Sequence, residues 1–152
     1  KAIEKAIDKN ACKLYISTDS GTEKLYKRIK NINKYNEVWN NIEAYSKKQG
    51  NENTNVWIKY IIIPDINDNI ESAKDFTDKV KMSGCKGIVI DIEREWYSGH
   101  ENNEQAIKRI IPVMKYLDEY AKKNQLERYP FPSYIYIMNK YEEYYNNLKV
   151  II

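Results

Sequence analysis

Residues 54–69 read TNVWIKYIIIPDINDN, and the parsing of this stretch decides the fold. It opens polar, becomes densely apolar at Ile61, Ile62 and Ile63, and stops at Pro64. The succession Tyr60 to Ile63 is aromatic and β-branched, which suits a buried strand. Pro64 has no amide to give to a ladder, so the strand closes there. Asp65, Asn67, Asp68 and Asn69 are turn and capping residues. Asp68 with Glu71 has capping-box spacing, which starts a helix near Asn69. The stretch is therefore a strand, a polar loop and a helix, with the loop at the strand's carboxyl end. In parallel α/β proteins that end is where ligands bind.

Upstream, Cys12 to Thr18 (CKLYIST) reads as another strand, followed by Asp19, Ser20 and Gly21 as a turn. Thr22 caps a helix with Leu25, Tyr26 and Ile29 on one face. Asn31 to Lys34 interrupt it. A second helical piece then carries Tyr35, Val38, Trp39, Ile42 and Tyr45 and ends near Gly50. Ala2 to Lys9 read as the last turns of an earlier helix, and Gly50 to Asn55 as a polar loop.

Downstream, Ile70, Ala73, Phe76 and Val80 mark an amphipathic helix that stops at Gly84. Gly87 to Glu93 (GIVIDIE) is a third strand, and Arg94 to Asn103 a polar loop. The next helix buries Ala106, Ile107, Ile110, Met114, Leu117 and Ala121, with Pro112 kinking it or shifting its start. Tyr129 to Pro132 form a break, Tyr134 to Met138 a short strand, and Lys140 to Leu148 a final helix. Strands alternating with helices of this length specify an α/β fold of parallel βαβ units with right-handed crossovers. The division expected is a core over 1–128 and a strand–helix extension over 129–152.

A chain of 152 residues holds one domain with one core. At 42% hydrophobic and 31% charged residues it is a folding sequence rather than a disordered one. A net charge of +3 is too small and too evenly spread to imply a nucleic-acid surface, and none is expected. No apolar run reaches ~18 residues, so no membrane span is expected. Most of the tyrosines sit at helical spacings beside Ile, Leu or Val, as core residues do. Cys12 and Cys85 have no metal-ligand spacing and read as two free thiols in a reducing cytoplasm. His100 reads as a solvent-exposed loop residue. The chain opens on Lys1 rather than Met, which reads as a fragment.

Side chains alternate between the two faces of a strand. Leu14, Ile16 and Thr18 share one face, with Tyr15, Ser17 and Asp19 on the other. Ile88, Ile90 and Ile92 are opposed by Val89, Asp91 and Glu93, and Lys59 falls opposite Ile58, Tyr60 and Ile62. One face is oily, and the other is polar towards its carboxyl end. A doubly wound sheet should be apolar on both faces. One-sided polarity fits the wall of a barrel whose lumen holds a ligand. Asp19, Asp65 and Asp68 also read as ordinary turn formers. Asp91 and Glu93, inside an apolar strand, read as functional groups or as a buried pairing with Lys59.

Three runs together, ISTDSGTEKLYKRIK (16–30), VWIKYIIIPDINDNIESAKDF (56–76) and GCKGIVIDIEREWY (84–97), resemble the second half of the radical S-adenosylmethionine (radical SAM) core. The likeness covers roughly residues 2–123 and is closest to the glycyl-radical activating enzymes and their relatives. Their S-x-D-x-G turn follows the fourth strand, and their K/R-Y-hydrophobic-P-G-x-N/S-D turn follows the fifth. The resemblance implies half of a partial (βα)6 TIM-like barrel. It also implies a parent enzyme that uses a 4Fe–4S cluster to cleave S-adenosylmethionine into a substrate-abstracting radical. By position, Ser17 and Asp19 match residues contacting the ribose or methionine part. Ile62, Ile63 and Pro64 match the segment along the adenine, and Asn67 belongs to the same turn. Asp91 and Glu93 match the sixth strand, which helps hold the nucleoside or substrate.

Two departures stand out. Asp65 occupies the family's glycine position, where Asp still tolerates left-handed backbone. The C-x-x-x-C-x-x-C cluster motif does not occur in the chain, and Cys12 and Cys85 cannot replace it. By itself the chain is expected to be inactive. Two other readings stay open: a non-catalytic half-barrel for binding or scaffolding, and a fragment of another (βα) barrel with Asp91 and Glu93 as acid and base. A half-barrel also has two unpaired edges and uncovers lumen residues such as Trp57, Ile61, Ile63 and Val89. Self-association through those edges is the expected consequence, with the tail Tyr134 to Ile152 as a competing cover.

Overall fold

The computed structural model describes residues 5–6, 13–48 and 55–151. Within them, four strands form one all-parallel sheet in the order β1-β2-β3-β4. β1 (Leu14–Ser17) leads to helices α1 (Glu23–Lys30) and α2 (Tyr35–Lys48), and β2 (Val56–Ile62) to α3 (Ile70–Ser83). β3 (Gly87–Ile92) leads to α4 (Arg94–His100) and α5 (Glu104–Lys123). β4 (Glu127–Pro130) is followed by α6 (Pro132–Lys140) and α7 (Glu142–Asn147). Cys12, most of the expected helix at 2–9 and nearly all of the loop at 50–55 lie outside the described residues.

Each strand-to-strand step moves the same way along the sheet, so right-handed crossovers put the connecting helices on one face. Burial agrees. Val56, Ile58, Tyr60, Ile62, Ile88, Ile90 and Ile92 share one core with Tyr26, Trp39, Ile42, Phe76, Ile107 and Leu117. Local signals set the helix ends. Thr22 accepts from the Leu25 amide at the start of α1, and Asn31 closes it in left-handed backbone. The cap of α3 is Asn69, which accepts from the Ser72 amide at 2.9 Å, one residue past the expected Asp68–Glu71 box. Gly84, at φ 66°, ends that helix. Gly21 has a different reason to be glycine. A Cβ there would come within 2.0 Å of the Asp75 backbone, so only glycine lets the β1–α1 turn rest on α3.

Three expectations need correction. Arg94 to Asn103 is mostly helix rather than loop. Glu93 turns its carboxylate onto the Glu95 and Trp96 amides at 3.1 and 2.7 Å and so starts α4. The stretch read as a break begins with the fourth strand, since β4 ends on Pro130 as an edge strand tolerates. The stretch 134–138 read as a strand is helix α6. Pro132 sits in its first turn, and Tyr134 and Ile137, three apart, are its buried residues. Tyr134, Ile137 and Tyr145 belong to the same core as the strands. Pro112 does not shift the start of α5, which begins at Glu104 and runs through it.

The opposite face of the sheet carries Tyr15, Trp57, Lys59, Val89, Asp91 and Tyr129. Of the four residues expected to be uncovered, Trp57 and Val89 are only 5% and 1% exposed, while Ile61 and Ile63 are half-buried. Large neighbours cover the first two. Tyr15 stacks on Trp57 at 6.1 Å, and its ring also lies 6.4 Å from Tyr129, so aromatic rings from the two edge strands meet above the middle of the sheet. Gly87 leaves the room that Trp57 occupies, since a Cβ there would lie 2.8 Å from the indole.

Candidate functional site

At the carboxyl ends of β1 and β2, two turns interlock. Asp19 is 1% exposed and adopts left-handed backbone at φ 55°. One carboxylate oxygen accepts from the Ile61 amide at 2.8 Å. The other accepts from Ser17 Oγ at 2.8 Å and from Lys30 Nζ. A buried carboxylate needs such donors, and three of them satisfy it. Lys30 also reaches Ser17 Oγ at 3.2 Å.

From the neighbouring turn comes Asn67, fully buried. Its Oδ1 accepts from the Ile63 amide at 2.6 Å, while Nδ2 donates to the Asp19 and Ile61 carbonyls, each at 2.9 Å. Tyr60 donates its hydroxyl to the Asn67 carbonyl at 2.7 Å. Burial, with the nearby Asp19 carboxylate behind it, pushes that phenol far above its ordinary range, so it stays a donor. Asp65 has φ 64°, a left-handed turn position that aspartate tolerates. Arg109 on α5 clamps the turn from outside, pairing with Asp65 at 3.1 Å and Asp68 at 3.0 Å. Pro64 is buried and Ile63 half-buried at the rim.

The carboxyl ends of β3 and β4 are built differently. Lys59 and Asp91 pair at 2.8 Å, one strand apart and about one-fifth exposed. This is the pairing that the sequence offered as one reading of Asp91. The other Asp91 oxygen accepts from Ser133 Oγ at 3.0 Å and from the Ile92 amide at 2.9 Å. Lys59 Nζ also lies 4.1 Å above the Phe131 ring. Two openings flank the pair. A cleft of about 540 Å³ is lined by Asp91, Ile92, Arg94, Tyr97, Ser98, Phe131 and others of α6. A smaller one of about 260 Å³ lies over Tyr15, Lys59, Val89, Tyr129 and Phe131.

Of the residues singled out from the sequence, Ser17, Asp19, Ile63, Pro64 and Asn67 come together in one cluster. Asp91 lies in the second region, joined to the first through Lys59 on β2. Glu93 is turned away from Asp91 into the cap of α4, which leaves the two carboxylates without a shared proton-transfer geometry. Lys30, Arg94, Arg109, Phe131 and Ser133 went unnoticed in the sequence. Their partners are distant along the chain, and only the aromatic–proline run 129–132 marked the place where one of them, Phe131, sits. Among the described residues, no group of three or more His, Cys, Asp or Glu side chains is arranged to hold a metal ion. No helix among them is long and apolar enough to cross a membrane. No protein-family model matches the chain, and no curated protein is similar to it.

Proposed function

We propose that this chain forms the carboxyl-terminal half of a radical SAM core barrel and contributes the platform on which S-adenosylmethionine rests. The observation that carries the reading is the interlock of the two family-like turns. Asn67 of the P-D-I-N-D turn donates to the Asp19 carbonyl of the S-T-D-S-G turn, and Asp19 in return holds the Ile61 amide. A singly wound parallel sheet with a polar strand-end face supports the same reading.

The groups present fit the nucleoside part of such a ligand in a particular way. Asp19 and Asn67 have their hydrogen-bonding capacity taken up within the protein, so they shape the platform. Ser17 and Ile63, both half-buried, are the members left at its surface. Ser17 Oγ is suited to a ribose hydroxyl, and Ile63 to the flat face of a purine. S-adenosylmethionine, when bound, supplies the sulfonium whose cleavage starts radical chemistry. The iron–sulfur cluster does not fit this chain. It needs clustered thiolates, and the sequence has only two cysteines, far apart. Any cluster in the parent is held by residues other than these.

The test is a titration of the 152-residue chain with S-adenosylmethionine, followed by backbone amide shifts. Saturable shifts centred on Ser17, Asp19, Ile63 and Asn67, weakened in Ser17→Ala, are the expected result. Absence of shifts at all four at millimolar ligand would overturn the assignment.

A further inference from the structure

The platform accounts for one end of the sheet only. The Lys59–Asp91 pair, the aromatic rings around it and the large cleft beside it remain without a role. We propose that this region, between β2, β3 and β4, binds a small molecule that joins a flat aromatic ring to a carboxylate. This names the substrate class for the lumen described above, and it rests on that reading for its place inside a barrel.

Charge decides the anionic end. Lys59 is matched by Asp91, and Asp91 is further engaged by Ser133, so the pair presents no net charge. Glu93, the nearest other carboxylate in sequence, gives both oxygens to the amides that start α4. Arg94 lines the cleft with no ion-pair partner among the described residues, so its guanidinium is the cation there that no carboxylate already engages. A guanidinium is a planar fork that receives a carboxylate through two parallel bonds. A single cation suits a singly charged carboxylate better than a polyphosphate or a nucleic acid, which needs several.

Shape decides the other end. The smaller opening is walled by Tyr15, Tyr129 and Phe131 over a floor of Val89. Tyr15 and Tyr129 are 52% and 53% exposed, an unusual cost for two neighbouring rings. The Phe131 ring is edge-on to Tyr129 at 6.1 Å and stacked beneath Lys59, so its orientation is fixed from two sides. A ring entering this opening packs against the exposed sides of Tyr15 and Tyr129. Phe131 lines both openings, so the two halves of such a ligand occupy contiguous space. Their combined size is that of an ordinary small-molecule site.

Three probes titrated into the 152-residue chain separate the contributions: 3-phenylpropionate, its neutral amide 3-phenylpropionamide, and the aliphatic acid hexanoate. The aromatic acid should bind saturably, with shifts at Arg94, Tyr129 and Ser133. The amide and hexanoate should each bind about tenfold more weakly, the size of one charge-assisted contact or one stacked ring. Arg94→Gln, at an exposed position where folding is safe, should lower the acid to the level of the amide and leave the amide unchanged. Tyr129→Ala should weaken the acid and the amide alike. No saturable binding of 3-phenylpropionate, or binding indifferent to Arg94→Gln, would reject the proposal. Its fate is separable from that of the platform. Shifts at Arg94 and Tyr129 with the aromatic acid, without shifts at Ser17 or Ile63 with S-adenosylmethionine, would uphold this site and reject the radical SAM reading. The converse pattern would do the converse.

Discussion

The carboxyl ends of β1 and β2 and those of β3 and β4 stand side by side in one sheet and are finished in opposite ways. At the first, the side-chain polar groups of Asp19 and Asn67 are taken up by the protein itself, and both residues are at most 1% exposed. At the second, an ion pair about one-fifth exposed, an arginine with no ion-pair partner among the described residues and two open clefts face outward. Rigid hydrogen-bonded turns are suited to presenting a fixed surface, whereas open polar clefts are suited to taking in something variable. The difference teaches where to look for invariant and for substrate-dependent chemistry in one small sheet.

Removing Asn67 should break the contrast most severely. Asn67→Ala leaves the Ile63 amide and the Asp19 and Ile61 carbonyls without their side-chain partner in a buried setting. A destabilisation of about 3 kcal/mol is expected, read from the urea midpoint, because buried unsatisfied groups carry their full desolvation cost. The matching change at the other end, Lys59→Met, should cost only about 1 kcal/mol, since Asp91 keeps Ser133 and its side chain is partly exposed. If the two substitutions cost the same, the two ends are not built differently in energy, whatever their geometry.

Alkaline pH gives a finer comparison. Burial, followed by the Asp75 and Glu23 carboxylates, pushes the Tyr35 phenol up to about 12. Tyr35 donates to the Gly21 carbonyl in the β1–α1 turn. Its folded form holds the proton more tightly than the unfolded chain, whose phenol titrates near 10. Its contribution to stability is therefore complete below pH 10 and is lost as pH rises through about 12. Tyr35→Phe should flatten the fall in urea midpoint across that window. The chain as a whole should still lose stability there, because Tyr120 on α5 is likewise raised to about 12. A slope unchanged by Tyr35→Phe would show that the turn does not depend on this proton.

The same contrast explains what could be read from the sequence. The β1 and β2 ends were legible because their signals are local. Pro64 closes a β-branched run, Thr22 and Asn69 cap helices, and Gly84 stops one. The one-sided polarity of Lys59 and Asp91 was visible from strand alternation alone, and their pairing was one of the two readings it offered. The β4 end was not legible. Glu127, Arg128, Tyr129 and Pro130 lack the β-branched run that marks an interior strand, and they are a strand because they pair with Gly87 to Ile90. Tyr134 to Met138 has the composition of a strand, yet packing on the core at Tyr134 and Ile137 makes it helix. Glu93 looked like a lumen carboxylate because nothing in the sequence says that its oxygens turn onto the Glu95 and Trp96 amides. At β4 and α6 a tertiary contact overrode a local preference, whereas at Glu93 a local cap did.

The smallest expected effect concerns association, and it distinguishes the two edges of the sheet. β4 ends on Pro130 and carries Glu127 and Arg128, all features that discourage a further strand. β1 has no such protection. Its exposed residue is Tyr15, and among the described residues no strand pairs its outer side. Self-association, expected from the sequence at either edge, is therefore proposed here at β1 alone. With only four residues of edge to offer, the contact should be weak. Light scattering should give a mass that rises above 18.1 kDa with concentration and returns to it in Tyr15→Lys, where a lysine at the edge opposes pairing. A mass of 18.1 kDa at every concentration would rule out association through this edge. A rise that survives Tyr15→Lys would move the contact to another surface, and the asymmetry between the two edges would lose its energetic meaning.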